Sequence, residues 1–196
     1  LVGGKAVRES DPIRLRREIG YVFQAIGLFP HMTVAENIAI TPRLIGWSAA
    51  HRTARVDELL QLVRLDTEKY RARFPAELSG GERQRVGVAR ALAAKPKIML
   101  MDEPFGALDA LTRDALTRDY RGLHDELGLT TVMITHDLTE AALLADRIAV
   151  IHHGRIVEQG TPRELLTSPS NSYVRELVET PRTQAERLAA LLRGEP

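Results

Sequence analysis

Three short runs of apolar residues, without polar interruption, constrain the fold of this 196-residue chain more than any other feature. They occupy residues 98–101, 132–134 and 148–151, and segments with helical spacing of apolar residues separate them. A strand with one solvated face alternates apolar and polar residues, whereas a continuous run is typical of a strand covered on both faces. The pattern therefore predicts an α/β fold in which a mostly parallel sheet is flanked by helices.

Composition narrows the class of protein only loosely. The 44% of hydrophobic residues supply enough apolar surface for a core, and the formal net charge of +1 gives no field that would attract nucleic acid, so we expect no nucleic-acid partner. Zero cysteines exclude disulfides and thiolate metal sites. No apolar stretch reaches the roughly 18 residues that span a bilayer, so we expect a soluble chain.

The first part of the chain adds one strand and a group of helices. Residues 19–24 combine aromatic and β-branched side chains, which predicts a buried strand with Gln24 at its exit. Thr33 and Glu36 have the spacing of a capping box ahead of an apolar stretch. We expect a small helical subdomain over about 33–94.

The last part of the chain reads as a hairpin followed by helices. Gly154 lies between two apolar segments and indicates a hairpin turn, and the residues after it predict a short helix over 162–166. The amphipathic spacing over 183–193 predicts a helical tail. The domain prediction is a single partial catalytic domain over 1–180 and a tail over 181–196.

The sequence Leu-Ser-Gly-Gly-Glu-Arg-Gln at 78–84 carries the first chemical signal. Ser79 and Glu82 have capping-box spacing, so an ordinary, well-started helix is one interpretation. Two glycines inside the cap favour a second one, because glycine is costly at helical positions. Gly80 and Gly81 suit the close approach of a phosphate to exposed N–H groups at the positive end of a helix.

Two carboxylates supply the second signal. Asp102 and Glu103 directly follow an apolar strand, at the end of the sheet where open α/β folds bind ligands. One carboxylate can hold Mg²⁺ while its neighbour accepts a proton from an attacking water. An acidic turn before Pro104 is the alternative. His136 ends the next predicted strand, where an imidazole can donate to a phosphate, although a solvated loop histidine is also ordinary.

The order of these signals and one absence complete the pattern. Gln24, the glycine-containing helix start, the acid pair, Asp109 and His136 follow one another, each at a predicted strand end or helix start. The printed sequence does not contain G-x-x-x-x-G-K-[ST], the loop that cradles phosphates in P-loop enzymes. The pattern predicts phosphate chemistry at a site that this sequence leaves incomplete.

These residues resemble the ATPase subunits of ABC transporters, over nearly the whole chain. Gln24 matches the Q-loop, residues 78–84 the signature motif, residues 98–103 the Walker B strand, residues 107–109 the D-loop and His136 the switch histidine. The amino-acid sequence around these motifs is also similar to that of the ATPase subunits of bacterial glycine betaine, carnitine and choline importers. The matching segments are residues 21–33, 45–48 and 75–78.

The resemblance implies ATP and Mg²⁺ as ligands and a P-loop NTPase-like core that lacks its N-terminal part. Asp102 and Gln24 are expected to attend Mg²⁺, and Glu103 to activate the attacking water. His136 is expected to steady the γ-phosphate. These are the metal-binding and catalytic residues that the family pattern assigns.

The signature residues are expected to act across an interface between two such domains. Ser79 with Gly81 would contact the phosphate of the neighbouring copy, Gly80 and Gln84 belong to the same cofactor-binding motif, and Asp109 would link the two sites. Closure of the pair would drive transmembrane permease subunits that dock near the Q-loop. The expected location is peripheral, on the cytoplasmic face of the plasma (inner) membrane.

The missing phosphate loop sets two expectations. Loss of four charge-assisted hydrogen bonds at about 1.5 kcal/mol each weakens binding by about 6 kcal/mol, on the order of ten-thousand-fold. We therefore expect the chain alone to bind ATP poorly and to be incompetent in hydrolysis. We also expect apolar sheet surface to be exposed. The chain would form a homodimer or pair with an intact ATPase subunit.

Three other classes of protein are compatible with part of this pattern. A chromosome-maintenance or DNA-repair ATPase inserts long coiled coils between the motifs, and the segment between Gln24 and Ser79 is short. A translation-linked ABC protein normally carries two such domains and a basic linker. A non-catalytic or regulatory remnant that pairs with an intact subunit stays open, because the phosphate loop is missing.

Overall fold

The computed structural model describes residues 2, 4, 6–24 and 27–193, apart from the side chains at 185 and 188. Its contacts form two compact units, Leu1–Thr135 and His136–Pro196. The helices and strands of the first unit are α1 (Pro12–Glu18), β1 (Ile19–Val22), α2 (Val34–Leu44), α3 (Ala49–Leu62), α4 (Thr67–Tyr70), α5 (Gly80–Leu92), β2 (Ile98–Asp102), α6 (Ala110–Leu127) and β3 (Thr130–Ile134). Those of the second unit are α7 (Leu138–Leu144), β4 (Ile148–His152), β5 (Arg155–Gly160), α8 (Pro162–Thr167) and α9 (Ser172–Leu192).

The first unit contains the predicted parallel sheet. Its strands lie in the order β1-β2-β3, and both neighbouring pairs are parallel. Val22 lies opposite Met101, and Asp102 lies opposite Ile134, so the carboxyl ends of the strands share one edge. The α/β fold with a parallel sheet is confirmed.

One face of this sheet is tightly covered by α5. Val22, Met99 and Met101 are buried there, at 2%, 0% and 3% exposure. Gly20 lies against the helix itself, because a Cβ placed on it would lie 2.6 Å from the carbonyl oxygen of Ala91. Backbone therefore packs on backbone between β1 and α5.

The opposite face is open, which corrects the expectation of strands covered on both faces. Tyr21 and Phe23 are 42% and 49% exposed, and Val132 and Ile134 are 58% and 63% exposed. These side chains are apolar on the uncovered face too, so the run of apolar residues could not reveal which face is packed. The predicted strand over 19–24 is also shorter, ending at Val22. The expected exposure of apolar sheet surface is confirmed.

Helices α2 and α5 begin at the caps that the sequence predicted, and α3 begins at a third cap of the same kind. Thr33 and Ser79 each form a complete capping box, and Ser48 caps α3 through a hydrogen bond from the amide of His51. Helices α2, α3 and α5 pack on one another around Ile38, Leu59 and other buried side chains. Local side-chain-to-backbone bonds thus fix the start of the signature helix.

The second unit corrects the prediction for residues 148–151. They form β4, which pairs antiparallel with β5 in a separate two-stranded sheet instead of joining the parallel one. The hairpin at Gly154 is confirmed: His153 and Gly154 have φ of 47° and 73°, as a tight hairpin turn requires. Val150 packs with Leu165 and other residues of α8 and α9.

The last helix is longer than predicted. Helix α9 begins at Ser172, where Asn171 caps it, and runs through Pro181 to Leu192. The domain boundary at 180 stays a prediction. None of the helices formed by the described residues has the length and apolar character needed to cross a membrane.

Candidate functional site

The carboxyl edge of the parallel sheet brings two predicted metal-binding residues onto neighbouring strands. Asp102 is the last residue of β2 and is half-buried, whereas Gln24 lies exposed two residues beyond the end of β1. Because Val22 and Met101 are register partners, the two strand ends lie side by side. The site is thus open to a ligand at this edge.

Glu103 follows Asp102 in an unusual backbone conformation. Its φ is 45°, in the left-handed region that non-glycine residues rarely adopt. The Glu103 amide donates to the carbonyl of Ile134 over 2.9 Å, and the Glu103 carbonyl accepts from the Gly106 amide over 3.3 Å. The backbone that carries this carboxylate is therefore held by bonds to β3 and to the following turn.

Gln84 links the signature helix to this turn. Its side-chain amide donates to the carbonyl of Glu103 over 2.6 Å and accepts from the amide of Ala107 over 3.0 Å. The side chain is only 3% exposed, so both ends of the amide are engaged inside the chain. The structure places Gln84 behind the acid pair, where its side-chain amide bonds to the backbone of Glu103 and Ala107.

The signature turn is held by a reciprocal pair of hydrogen bonds. The Ser79 amide donates to the Glu82 carboxylate over 2.7 Å, and the Glu82 amide donates to the Ser79 hydroxyl over 3.3 Å. In this cap the hydroxyl oxygen accepts from the Glu82 amide, and the Ser79 side chain also hydrogen-bonds to the Glu82 carboxylate. The Ser79 hydroxyl is thus held at the start of α5 by both groups of Glu82.

Tyr70 strengthens this turn and was missed by sequence reasoning. Its hydroxyl donates to the Glu82 carboxylate over 2.5 Å. That bond, with the bond from the Ser79 amide, lowers the pKa of Glu82 from 4.5 to about 2, and the same contact raises the pKa of Tyr70. The carboxylate is thus kept charged at the positive end of α5.

The start of α5 also touches the D-loop of the same chain. A Cβ on Gly81 would lie 3.2 Å from Cδ2 of Leu108 and 3.4 Å from the carbonyl oxygen of Ala107. Asp109 caps α6 by accepting from the Thr112 amide over 3.0 Å, and this bond lowers the pKa of the Asp109 carboxyl. The signature start, the turn after Glu103 and the D-loop therefore form one packed group. Gly80 is different, since a Cβ there would meet nothing within 4 Å.

His136 belongs to the second unit. It is exposed and precedes Asp137, which caps α7 by accepting from the amides of Thr139 and Glu140 over 2.8 and 3.1 Å. Its predicted role at the phosphate stays a prediction.

Arg90 is a second residue that the motif analysis overlooked. It lies on α5, and its guanidinium donates to the carbonyl of Gly27 over 2.7 Å, which ties Gly27 to the signature helix. Burial lowers the pKa of Arg90. Only a long-range contact reveals this role, because the two residues are 63 positions apart.

The side chains at the sheet edge fit a hard cation that brings ligands of its own. Among the described residues, no group of three or more His, Cys, Asp and Glu side chains converges as a metal cage. Mg²⁺ does not need one, because it is commonly bound through one or two carboxylates together with substrate phosphates. Asp102 and Gln24 supply oxygen atoms of the preferred kind.

Comparison with known proteins agrees with this geometry. A family model described as ABC transporter matches residues 1–106. The chain is 51% identical over 177 residues to the glycine betaine/carnitine/choline transport ATP-binding protein OpuCA of Bacillus subtilis, a match that covers 90% of the chain and 46% of that protein. It is also 48% identical over 185 residues to the sulfate/thiosulfate import ATP-binding protein CysA 2 of Agrobacterium fabrum, covering 93% of the chain and 52% of that protein. The chain thus spans about half the length of the curated relatives it matches.

A solved structure shows the same architecture. It is a dimeric ATP-binding cassette in a post-hydrolysis state bound to ADP and Pi, with a TM-score of 0.75 and 32% sequence identity. The match covers 83% of this chain and 72% of that one. The ordered motifs, the parallel sheet with its acid pair and the family match over more than half of the residues lead to one conclusion: the chain belongs to the ABC transporter family, as part of its ATP-binding cassette.

Proposed function

We propose that this chain forms part of the ATP-binding and hydrolysing subunit of an ABC importer for glycine betaine or related quaternary amines. The observation that carries the proposal is the packed group in which Gln84 joins the start of α5 to the turn after Glu103. It places a helix N-terminus suited to a phosphate and an acid pair suited to Mg²⁺ and water on one block of structure.

Hydrolysis would take place at the carboxyl edge of the sheet. Asp102 and Gln24 would hold Mg²⁺, which supplies neutralisation of the phosphate charge when bound. Glu103 would accept a proton from the water that attacks the γ-phosphate, and His136 would donate a hydrogen bond to that phosphate. The fixed backbone of Glu103 restricts the positions that its carboxylate can occupy, which favours one position for the attacking water.

The signature turn would act on a nucleotide held by a second cassette. The Ser79 hydroxyl and the amide of Gly81 would contact the γ-phosphate across the interface. Gly80 carries no side chain that could obstruct this approach. Asp109, at the start of α6, would pass the state of one site to the other. The partner would be a second copy or an intact ATPase subunit.

The 196-residue chain by itself should bind ATP weakly, because its sequence does not contain the phosphate loop. Titration of the purified chain with Mg-ATP by calorimetry tests this. We expect no binding in the micromolar range, and micromolar binding would contradict the proposal.

A mixed assay tests the signature half of the site. The chain is added to an intact ABC ATPase subunit whose own signature serine is replaced, so that phosphate contact must come from Ser79. We expect ATP hydrolysis to rise on mixing and to be lost with Ser79→Arg. The matched control is Ser48→Arg, which alters the exposed cap of α3 instead. Unchanged activity in the Ser79→Arg mixture would overturn the proposal.

The second candidate function is a non-catalytic remnant that completes the site of an intact subunit. The signature turn, which its capping box and Tyr70 hold in place, is the part that such a remnant would need. Glu103→Gln distinguishes the two candidates in a mixture with an intact subunit that keeps its own signature serine, at ATP concentrations far above the micromolar range. If the chain is a non-catalytic remnant, the ATPase activity of the mixture should not change. If the chain hydrolyses ATP itself, the activity of the mixture should fall when ATP is bound at the site of Glu103.

The membrane partner would be a permease subunit that docks beside the helical region after Gln24. Three apolar side chains there are exposed, with Phe29 at 41%, Leu44 at 57% and Ile45 at 38%. Such docking would place the chain peripherally on the cytoplasmic face of the inner membrane. We expect Leu44→Glu to abolish co-purification with the permease, while Leu191→Glu on the exposed end of α9 should leave it intact.

The identity of the transported solute is the most specific part of the proposal. Its support is the likeness to the Bacillus subtilis protein at 51% identity, whereas the Agrobacterium protein, at 48% identity, is a sulfate/thiosulfate import subunit. Uptake of labelled glycine betaine and of labelled sulfate, in cells with and without the gene for this chain, tests it. We expect only the uptake of glycine betaine to fall.

A further inference from the structure

Glu103 is the one described non-glycine residue with positive φ that directly follows a strand of the parallel sheet. Four non-glycine residues have positive φ among the described residues, and three of them lie where chains commonly turn. Arg64 and Lys95 follow the ends of α3 and α5, and His153 lies in the β4–β5 hairpin. Glu103 instead follows a parallel strand, so surrounding contacts must hold its conformation.

Besides the bonds to Ile134 and Gly106, the side chain of Gln84 contacts this backbone from a distant part of the chain. It lies 19 residues away from Glu103 and 23 residues away from Ala107, yet its amide bonds to the backbone of both. The bond to the Glu103 carbonyl is short, at 2.6 Å, and Gln84 is 3% exposed. A buried amide is costly unless both of its ends are paired, and here one turn pairs both.

We propose that Gln84 is a positioning residue, which holds the turn from Glu103 to Ala107 in its left-handed conformation and thereby aims the Glu103 carboxylate. The inference rests on the proposed function, in which Glu103 activates water. In physical terms, the side-chain amide of Gln84 holds the signature helix at a fixed position relative to the acid pair. Gln84 then acts through the backbone and not by touching nucleotide.

Asn37 provides a matched control within the same unit. It is also a fully buried amide that bridges backbone, since it accepts from the Phe29 amide over 2.8 Å and donates to the carbonyls of Phe29, Met32 and Thr33. Replacing Asn37 by Leu therefore removes a comparable buried bridge that serves a different loop. A general loss of core stability should follow from either change.

The experiment compares Gln84→Met with Asn37→Leu by NMR on the isotope-labelled full chain. Two signals are followed: the backbone ¹³C shifts of Glu103, which report its left-handed conformation, and hydrogen exchange of the Ala107 amide. In Gln84→Met we expect the Glu103 shifts to leave their left-handed values and the Ala107 amide to exchange about ten-fold faster. In Asn37→Leu both signals should stay as in the wild type, after correction for global stability.

A second variant covers the case in which Gln84→Met does not fold. Gln84→Glu keeps an oxygen acceptor for the Ala107 amide but loses the donor to the Glu103 carbonyl. We expect Ala107 to stay protected while the Glu103 shifts move. If the Glu103 shifts keep their wild-type values in a folded Gln84 variant, the inference is overturned. These spectra need no ATP, so failure of the mixed-subunit assay would refute the proposed function without altering this result.

Discussion

The two faces of the parallel sheet differ sharply in how they are built. On the face toward α5, Met99 is fully buried and Gly20 allows backbone to touch backbone. On the other face, Val132 and Ile134 remain more than half exposed although they are as apolar as the residues behind them. The comparison teaches that apolar character alone does not stabilise a strand. Stability comes from the surface that a neighbouring element removes from water.

The largest expected effect is on the covered face. Met99→Ala should destabilise the chain by about 3 kcal/mol, because it deletes buried methylene groups and leaves a cavity beneath α5. Urea unfolding followed by circular dichroism measures the change. Val132→Ala on the open face is the control, and we expect its cost to stay within about 0.5 kcal/mol. Equal costs for the two variants would remove the difference between the faces.

The next effect probes the backbone contact itself. Gly20→Ala should cost about 2 kcal/mol, since the new Cβ would crowd the sulfur of Met99 and the carbonyl of Ala91. Gly122 lies inside α6, and a Cβ there would meet nothing within 4 Å. We expect Gly122→Ala to stabilise the chain by up to about 1 kcal/mol. Thermal unfolding of both variants should therefore show shifts of opposite sign.

A smaller effect concerns the start of the helix that covers the sheet. Tyr70→Phe removes the hydroxyl that binds Glu82 and should cost about 1 kcal/mol at pH 7. The control is Tyr173→Phe, because the Tyr173 hydroxyl has no hydrogen-bond partner among the residues that the structure describes. Urea unfolding at pH 7 compares them, and a matching cost in both variants would contradict a specific role for Tyr70.

The same bond predicts a pH dependence. The pKa of Glu82 is lowered from 4.5 to about 2 in the folded chain, so its contribution to stability is fully present above pH 4.5 and is lost as the pH falls toward 2. We expect the stability of Tyr70→Phe to change less over this window than that of the wild type. Parallel curves for the two proteins would show that Tyr70 does not set the pKa of Glu82.

The smallest effect lies on the open face. Ile134→Thr should change the free energy of unfolding by less than about 0.5 kcal/mol, because this side chain is mostly in water already. It should nevertheless reduce self-association, since exposed apolar patches promote it. Sedimentation velocity at several concentrations measures this. A large loss of stability in Ile134→Thr would mean that the face is covered in solution.

Features fixed by near neighbours in the chain were predictable from the sequence. The caps at Thr33, Ser48 and Ser79 bond to amides within three residues, so residue type and spacing suffice to place them. The parallel sheet and the acid pair at its edge followed from apolar runs and the residues after them. These predictions needed no knowledge of distant contacts.

Features fixed by distant residues were not predictable. Residues 148–151 have the composition of a buried parallel strand, but their pairing partner decides that they form a hairpin strand. Neither Tyr70 nor Gln84 shows its partner in the sequence, because the bonds join separate elements of the fold. The left-handed backbone at Glu103 is likewise a product of tertiary contacts and not of local preference.

The missing methyl group at position 20 has a mechanical consequence. At Gly20 no side chain separates β1 from α5, so sliding one element past the other would disturb a close main-chain contact at this point. A displacement of the strand, for example by a ligand that binds the residues just beyond it, would therefore displace the helix as well. The strand and the helix would then move together, and Ser79 caps the end of the helix that lies farthest from Gly20.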